Sequence, residues 1–247
     1  MMNIKIEFSY DGRDYYGIQK QKNRLTIQEE IENALLKLFN AQIDLIYAGR
    51  TDRGVSAECM VGNFFVETTI CPEKICYALN QYLPDNIKIL KSEQVDENFN
   101  SRYDAKKKTY KYSLYESKFH LPLFPFQTQF KSSLKYLEMK KAIKYFVGTK
   151  DFTSVVTSSC EIENKVRTIY KAKIVKEKTG DVVHYHFYFT GNGFLYNQVR
   201  IMVGTLVLVG LGKIKPRDVK KILLLKDRSK SGSVMSAEGL SLLNVEY

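Results

Sequence analysis

The sequence predicts an α+β protein of two similar halves, residues 1–104 and 105–247. Their sheets are expected to join into one larger, mostly antiparallel sheet, with helices on one face and a basic cleft on the other. Three observations predict this. Segments of strict apolar–polar alternation recur between segments with a helical apolar stripe, so that each half runs roughly strand, helix, strand, strand, helix, strand. Nothing between the halves has the composition of a flexible linker. The formal charge is +11, which places a basic surface on whatever cleft the halves form.

Ile4 to Tyr10 alternates apolar and polar residues, as a half-buried strand does, and Asp11-Gly12 ends it. Leu25 to Phe39 carries a helical stripe of Ile27, Ile31, Ala34, Leu35 and Leu38, opened by a Thr26/Glu29 capping box. Two apolar runs, Ile43 to Ala48 and Met60 to Val66, enclose a polar loop. Pro72 begins a second helix to Gln81, and Ile87 to Val95 returns as a strand. In the second half, Thr109 to Tyr115 is a strand with Tyr110, Tyr112 and Leu114 on one face. Ser133 to Val147 is a helix ended by Gly148. Thr168 to Lys176 and Val182 to Thr190 are strands, and Leu195 to Leu211 is a long helix with a stripe of Leu195, Val199, Met202, Val203 and Leu206. Pro216 opens a short helix to Leu225, and Leu240 to Glu246 is the closing strand.

With 44% apolar and 13% aromatic residues and no low-complexity tract, the chain is globular, neither disordered nor fibrous. Met1 to Tyr10 alternates too regularly for a secretory signal. The longest apolar run, Ile201 to Leu211, is too short and too glycine-interrupted to span a bilayer, so no membrane association and a cytoplasmic location are expected. A pI near 9.3 favours a polyanionic partner, above all nucleic acid, because clustered Lys and Arg release counterions from phosphates. Cys59, Cys71, Cys76 and Cys160 contain no Cys-x-x-Cys pair and read as reduced thiols, mostly in the core. His184 and His186 have the spacing of a metal pair on one strand face, with no third ligand nearby, so no metal is expected.

The segment with chemical promise is Tyr47-Ala48-Gly49-Arg50-Thr51-Asp52-Arg53-Gly54-Val55-Ser56-Ala57. One carboxylate lies between two arginines, and Gly49 and Gly54 bracket the charges with residues free to adopt positive φ. A carboxylate with guanidinium groups on either side stays ionised and available as a nucleophile or base. The other reading of such a string is a solvated turn whose charges merely pair.

The segment resembles the motif around the reacting aspartate of the tRNA pseudouridine synthase A family, Gly-Arg-Thr-Asp-x-Gly-Val-His-Ala, with Ser56 where histidine is usual. The likeness extends through Tyr10-Asp11-Gly12 and Gly17-Ile18-Gln19-Lys20-Gln21, with Ile18 in place of tryptophan. It continues through Phe99 to Arg102, Lys108 to Tyr112, Gly148 to Ser154, Phe194 to Gly204 and Ala237 to Leu240. The resemblance implies two ferredoxin-like halves sharing a sheet, a homodimer, no cofactor, and isomerisation of uridine to pseudouridine in tRNA at positions 38, 39 and 40 of the anticodon stem-loop. It makes Asp52 the catalytic residue and Tyr110 the wall for a flipped-out base, whose phenol is also placed to take the C5 proton. Arg50 fills the space the base leaves, and Leu240 lines the uracil pocket. Arg53, at the motif's variable position, contacts phosphate. Arg200, bordering an apolar helix stripe, calls for an anionic partner, and Asp52 is the one proposed. Whether Asp52 attacks C6, attacks C1′ or assists a glycal route stays open. The alternatives are a divergent member acting on another tRNA or ribosomal uridine, which the departures at Ile18 and Ser56 suggest, and a non-catalytic RNA-binding protein.

Overall fold

The computed structural model describes all 247 residues. They divide into two compact units, residues 1–106 with 241–247, and residues 107–240. The closing strand therefore belongs with the first unit, where a single break at 104/105 had put it in the second.

In the first unit, β1 (Met2–Tyr10) buries Ile4, Ile6, Phe8 and Tyr10 along one face, as its alternation requires. α1 (Ile27–Phe39) begins where the Thr26 side chain accepts the Glu29 N–H and ends at Asn40, in the left-handed region at φ 51°. Its stripe of Ile27, Ile31, Ala34 and Leu35 is buried, and Phe39 meets Phe64 at 6.3 Å between ring centroids. The first apolar run yields only the two-residue β2 (Ile46–Tyr47), whereas β3 (Ser56–Val66) is longer than its apolar pattern suggested. The expected helix over 72–81 is broken into a 3-10 turn, Pro72–Lys74, and the short α2 (Ile75–Leu79). It stops because the Asn80 side chain is engaged by β4 (Ile87–Val95), donating to the Ile89 carbonyl at 2.9 Å and accepting its N–H at 2.8 Å. The order β4-β1-β3, antiparallel throughout and with β2 antiparallel on β3, is that of the split β-α-β motif.

The second unit starts with β5 (Lys107–Glu116) and β6 (Thr128–Phe130), a parallel pair. The helix expected over 133–147 is α3 (Tyr136–Ala142), tightening into a 3-10 turn at Ile143–Phe146. β7 (Gly148–Asp151), β8 (Val166–Thr179) and β9 (Val182–Gly191) complete an antiparallel order β5-β9-β8-β7. The register sets Tyr110, Tyr112 and Leu114 against Phe189, Phe187 and Tyr185, so the anticipated aromatic face exists and is buried. α4 (Gln198–Gly210) is buried on nearly every side rather than along one stripe. Its glycines are the reason: a Cβ on Gly204 would strike the Ser233 carbonyl oxygen, and one on Gly210 would crowd Met139 and Leu134. After α5 (Asp218–Leu225), β10 (Leu240–Glu246) runs parallel to β3 through Ser241–Ser56 and Leu242–Ala57.

The protein is thus α+β with mainly antiparallel pairing. Of the four cysteines, all free, only Cys76 is buried, and Cys71 is exposed, which corrects the expectation of core thiols. No helix is long and apolar enough to cross a membrane.

Candidate active site

The loop that carries Asp52 is fastened from both ends by backbone. Ala48 N–H donates to the Val61 carbonyl at 2.9 Å, and β3 begins at Ser56. Between these points it interlocks with the segment after β1. Ile18 N–H donates to the Thr51 carbonyl at 3.4 Å and Gly54 N–H to the Tyr15 carbonyl at 3.2 Å, while Val55 N–H closes a turn onto the Asp52 carbonyl at 3.1 Å. Inside the unit, the Tyr10 and Thr51 hydroxyls share a buried hydrogen bond of 2.7 Å. Only Gly54 of the two bracketing glycines uses positive φ, at 80°. Glycine is also needed on the facing segment, since a Cβ on Gly12 would collide with the Val55 carbonyl oxygen. Asp52 ends half-buried between a buried Thr51 and an exposed Arg53.

The arginines divide by their surroundings. Arg50 is exposed and stands beside the phenol of Tyr47, whose pKa burial raises and the Arg50 and Arg102 charges pull back. Arg53 lies over the ring of Tyr16, 4.2 Å from its centroid, and Arg24 lies over the same ring at 4.4 Å. Nothing in the alternation or spacing pointed to Tyr16 or Arg24.

Ser56 and Ile18, the two departures from the family motif, are internal. Ser56 is buried and its Oγ accepts the Gly12 N–H at 3.0 Å, so it fastens the two segments together; Ile18 is fully buried.

In the second unit Tyr110 is buried and meets Phe194 edge-on, 5.1 Å between centroids. Its strand-mate Tyr112 lies deeper. That hydroxyl bonds Thr128 Oγ1 at 2.6 Å and donates to the Ser236 carbonyl at 2.9 Å, and burial drives its pKa well above the usual phenol value. Arg200, in the first turn of α4, donates from Nε to the Met235 carbonyl at 2.6 Å and from Nη1 to Asn197 Oδ1 at 2.7 Å. Asn197 holds φ 59° just before the helix, which turns its amide toward Arg200. Leu240 is buried and its N–H closes a turn onto the Ala237 carbonyl. His184 and His186 stack in parallel, 6.4 Å apart. Each commits its Nδ1 to a hydrogen bond, with Gln127 and Ser113 respectively, and no group of three or more His, Cys, Asp or Glu side chains gathers into a metal-holding set.

A protein-family model described as tRNA pseudouridine synthase matches residues 7–104 and 142–247. Proteins named tRNA pseudouridine synthase A from Clostridium acetobutylicum and a Thermoanaerobacter species are 44% and 42% identical over 248 residues, covering all of this chain and all of theirs. The Bacillus subtilis protein of the same name is 40% identical over 250 residues, covering all of this chain and 99% of its own. The α+β frame, the fixed aspartate and these likenesses define an RNA-modifying isomerase. The chain belongs to the tRNA pseudouridine synthase family. Asp52, Arg50, Arg53, Arg200 and Leu240 fall within the matched spans, and Tyr110 falls between them.

Proposed function

We propose that the chain isomerises uridine to pseudouridine in tRNA, at positions 38, 39 and 40 of the anticodon stem-loop, as a cytoplasmic homodimer. The observation that carries this reading is Asp52, half-buried on a loop whose backbone is tied on both sides to the segment after β1. Such a loop holds a carboxylate in one place without enclosing it, as attack on a bound substrate demands.

The reaction breaks the N1–C1′ bond, turns the uracil and joins C5 to C1′. It transfers no electrons to or from the enzyme and needs no group donor. Asp52 supplies the carboxylate that attacks or assists departure. Arg200 supplies its countercharge; the Met235 and Asn197 contacts leave that guanidinium oriented before substrate arrives. Tyr110, held edge-on by Phe194, is the wall for the extruded base and the acceptor of the C5 proton. Arg50 occupies the gap in the stack, and Leu240 lines the uracil pocket. The expectation of a different target RNA rested on Ile18 and Ser56. Both are buried, so neither presents a surface that would select a different RNA.

Incubating purified protein with an unmodified tRNA transcript and mapping pseudouridine tests the proposal. Modification at 38 to 40 by the wild type, abolished in Asp52→Asn while tRNA binding changes little, is expected. Pseudouridine elsewhere would displace the target assignment. Wild-type turnover by Asp52→Asn would remove the catalytic one.

A further inference from the structure

Tyr16 carries two guanidinium groups on one ring, Arg24 at 4.4 Å and Arg53 at 4.2 Å from the centroid. Both arginines are exposed, and neither is in an ion pair or donates a side-chain hydrogen bond within the protein. Their basic neighbours differ. Arg13 is paired with Asp11 at 2.6 Å and Lys20 with Glu32 at 2.9 Å. Bringing two like charges to one phenol without an acid between them is unfavourable in the free protein; the ring's negative face offsets only part of the repulsion. An anion placed there removes the remainder, and two guanidinium forks whose N–H groups have no protein acceptor suit phosphate oxygens.

The position of the stack is fixed with respect to Asp52. Arg53 is the next residue. Tyr16 is held by its own N–H on the Leu25 carbonyl at 2.9 Å and by Gln21 Nε2 on its carbonyl at 2.8 Å, and Arg24 is brought back to the ring by a tight turn with Asn23 at φ 57°. The Tyr15–Gly54 and Ile18–Thr51 backbone bonds tie this arm to the Asp52 loop. We propose that Arg24, Tyr16 and Arg53 form a clamp for the RNA backbone, gripping phosphodiesters beside the nucleotide presented to Asp52. Arg53 stands at the variable position of the family motif, outside the residues that the motif fixes for the reaction. The assignment rests on the reading of Asp52 as the residue that meets the target uridine.

The test uses the full chain and an unmodified tRNA transcript, with Kd measured by fluorescence anisotropy over a range of salt. Arg24→Gln and Arg53→Gln should each weaken binding about fivefold and lower the slope of log Kd against log salt by about 0.7 to 0.9. In turnover the loss should appear mainly as a raised KM. Tyr16→Leu keeps both charges but removes the plane they share, so it should weaken binding while the slope stays near the wild-type value. A double variant, Arg24→Gln with Arg53→Gln, that melts earlier yet binds with wild-type Kd and slope would overturn the clamp and leave the stack as support for the fold. Failure of the functional reading looks different. If Asp52→Asn still turned over while the arginine variants lost their salt slope, the catalytic assignment would fall and the clamp would stand as an RNA contact.

Discussion

Thr51 sets the reach of the residue that follows it. Its hydroxyl is held by Tyr10 and its carbonyl by Ile18, so the chain leaves Thr51 in a fixed direction and Asp52 inherits it. Arg200 is oriented in the same manner, through a carbonyl and an amide that engage two edges of one planar group. Arg200→Ala should therefore slow single turnover at saturating enzyme by at least about tenfold, or about 1.4 kcal/mol. Arg200→Lys should restore only part, since an ammonium keeps the charge without the two-point geometry. Wild-type single-turnover rates in Arg200→Ala would exclude the proposed countercharge. The Asp52 loop was legible in the sequence because arginine, aspartate and glycine are distinctive in that order. Ser56 was legible only as a departure; that its hydroxyl fastens Gly12 depends on a segment 44 residues away in the chain, which local pattern does not reveal.

At the scale of elements, the interlock between the Asp52 loop and the segment after β1 depends on the absence of a side chain at Gly12. Gly12→Ala would drive a methyl group into the Val55 carbonyl, and the two segments would have to separate. A cost of about 1 to 3 kcal/mol is expected, a fall of roughly 2 to 10 °C in Tm for a chain of this size, with a parallel loss of turnover. Calorimetry giving an unchanged Tm would contradict the close approach. Long strands were readable: β4 and β10 have the bounds expected of them, and β1 shows the clearest reason, since burying Ile4, Ile6, Phe8 and Tyr10 along one face imposes period two. β6 and β7 were not readable, since three or four residues carry too little periodicity to register. The helix over 72–81 was overestimated for a tertiary reason, the capture of Asn80 by the Ile89 backbone, which no helical propensity records.

For the molecule as a whole, buried titratable groups set how stability responds to acid. Burial lowers the pKa of His184 and of His186 below 6.5; Glu177 opposes this in both, while Lys111 and the neighbouring imidazole reinforce it at His186. The unfolded chain then binds protons that the folded chain refuses, so stability is full above about pH 6.5 and falls as pH drops through the lowered values. A second decline follows. Burial works against the Asp151 carboxylate, but hydrogen bonds from Lys226 and Thr153 outweigh it and hold its pKa at about 2 against 3.8, so its contribution is lost as pH falls from about 4 toward 2. The urea midpoint should be flat near neutrality and fall in these two steps, with the first reduced in His186→Gln; a midpoint that rose on acidification would refute the linkage. The return of residues 241–247 to β3 has a different consequence, one of timing. On the ribosome, the β3 edge at Ser56 and Ala57, where the Asp52 loop ends, waits unpaired while residues 107–240 are synthesised, on the order of ten seconds. An open strand edge is a template for pairing with another chain, so the nascent first unit depends during that interval on chaperones or on speed, and a message cut short within 107–240 releases a sheet with that edge still exposed.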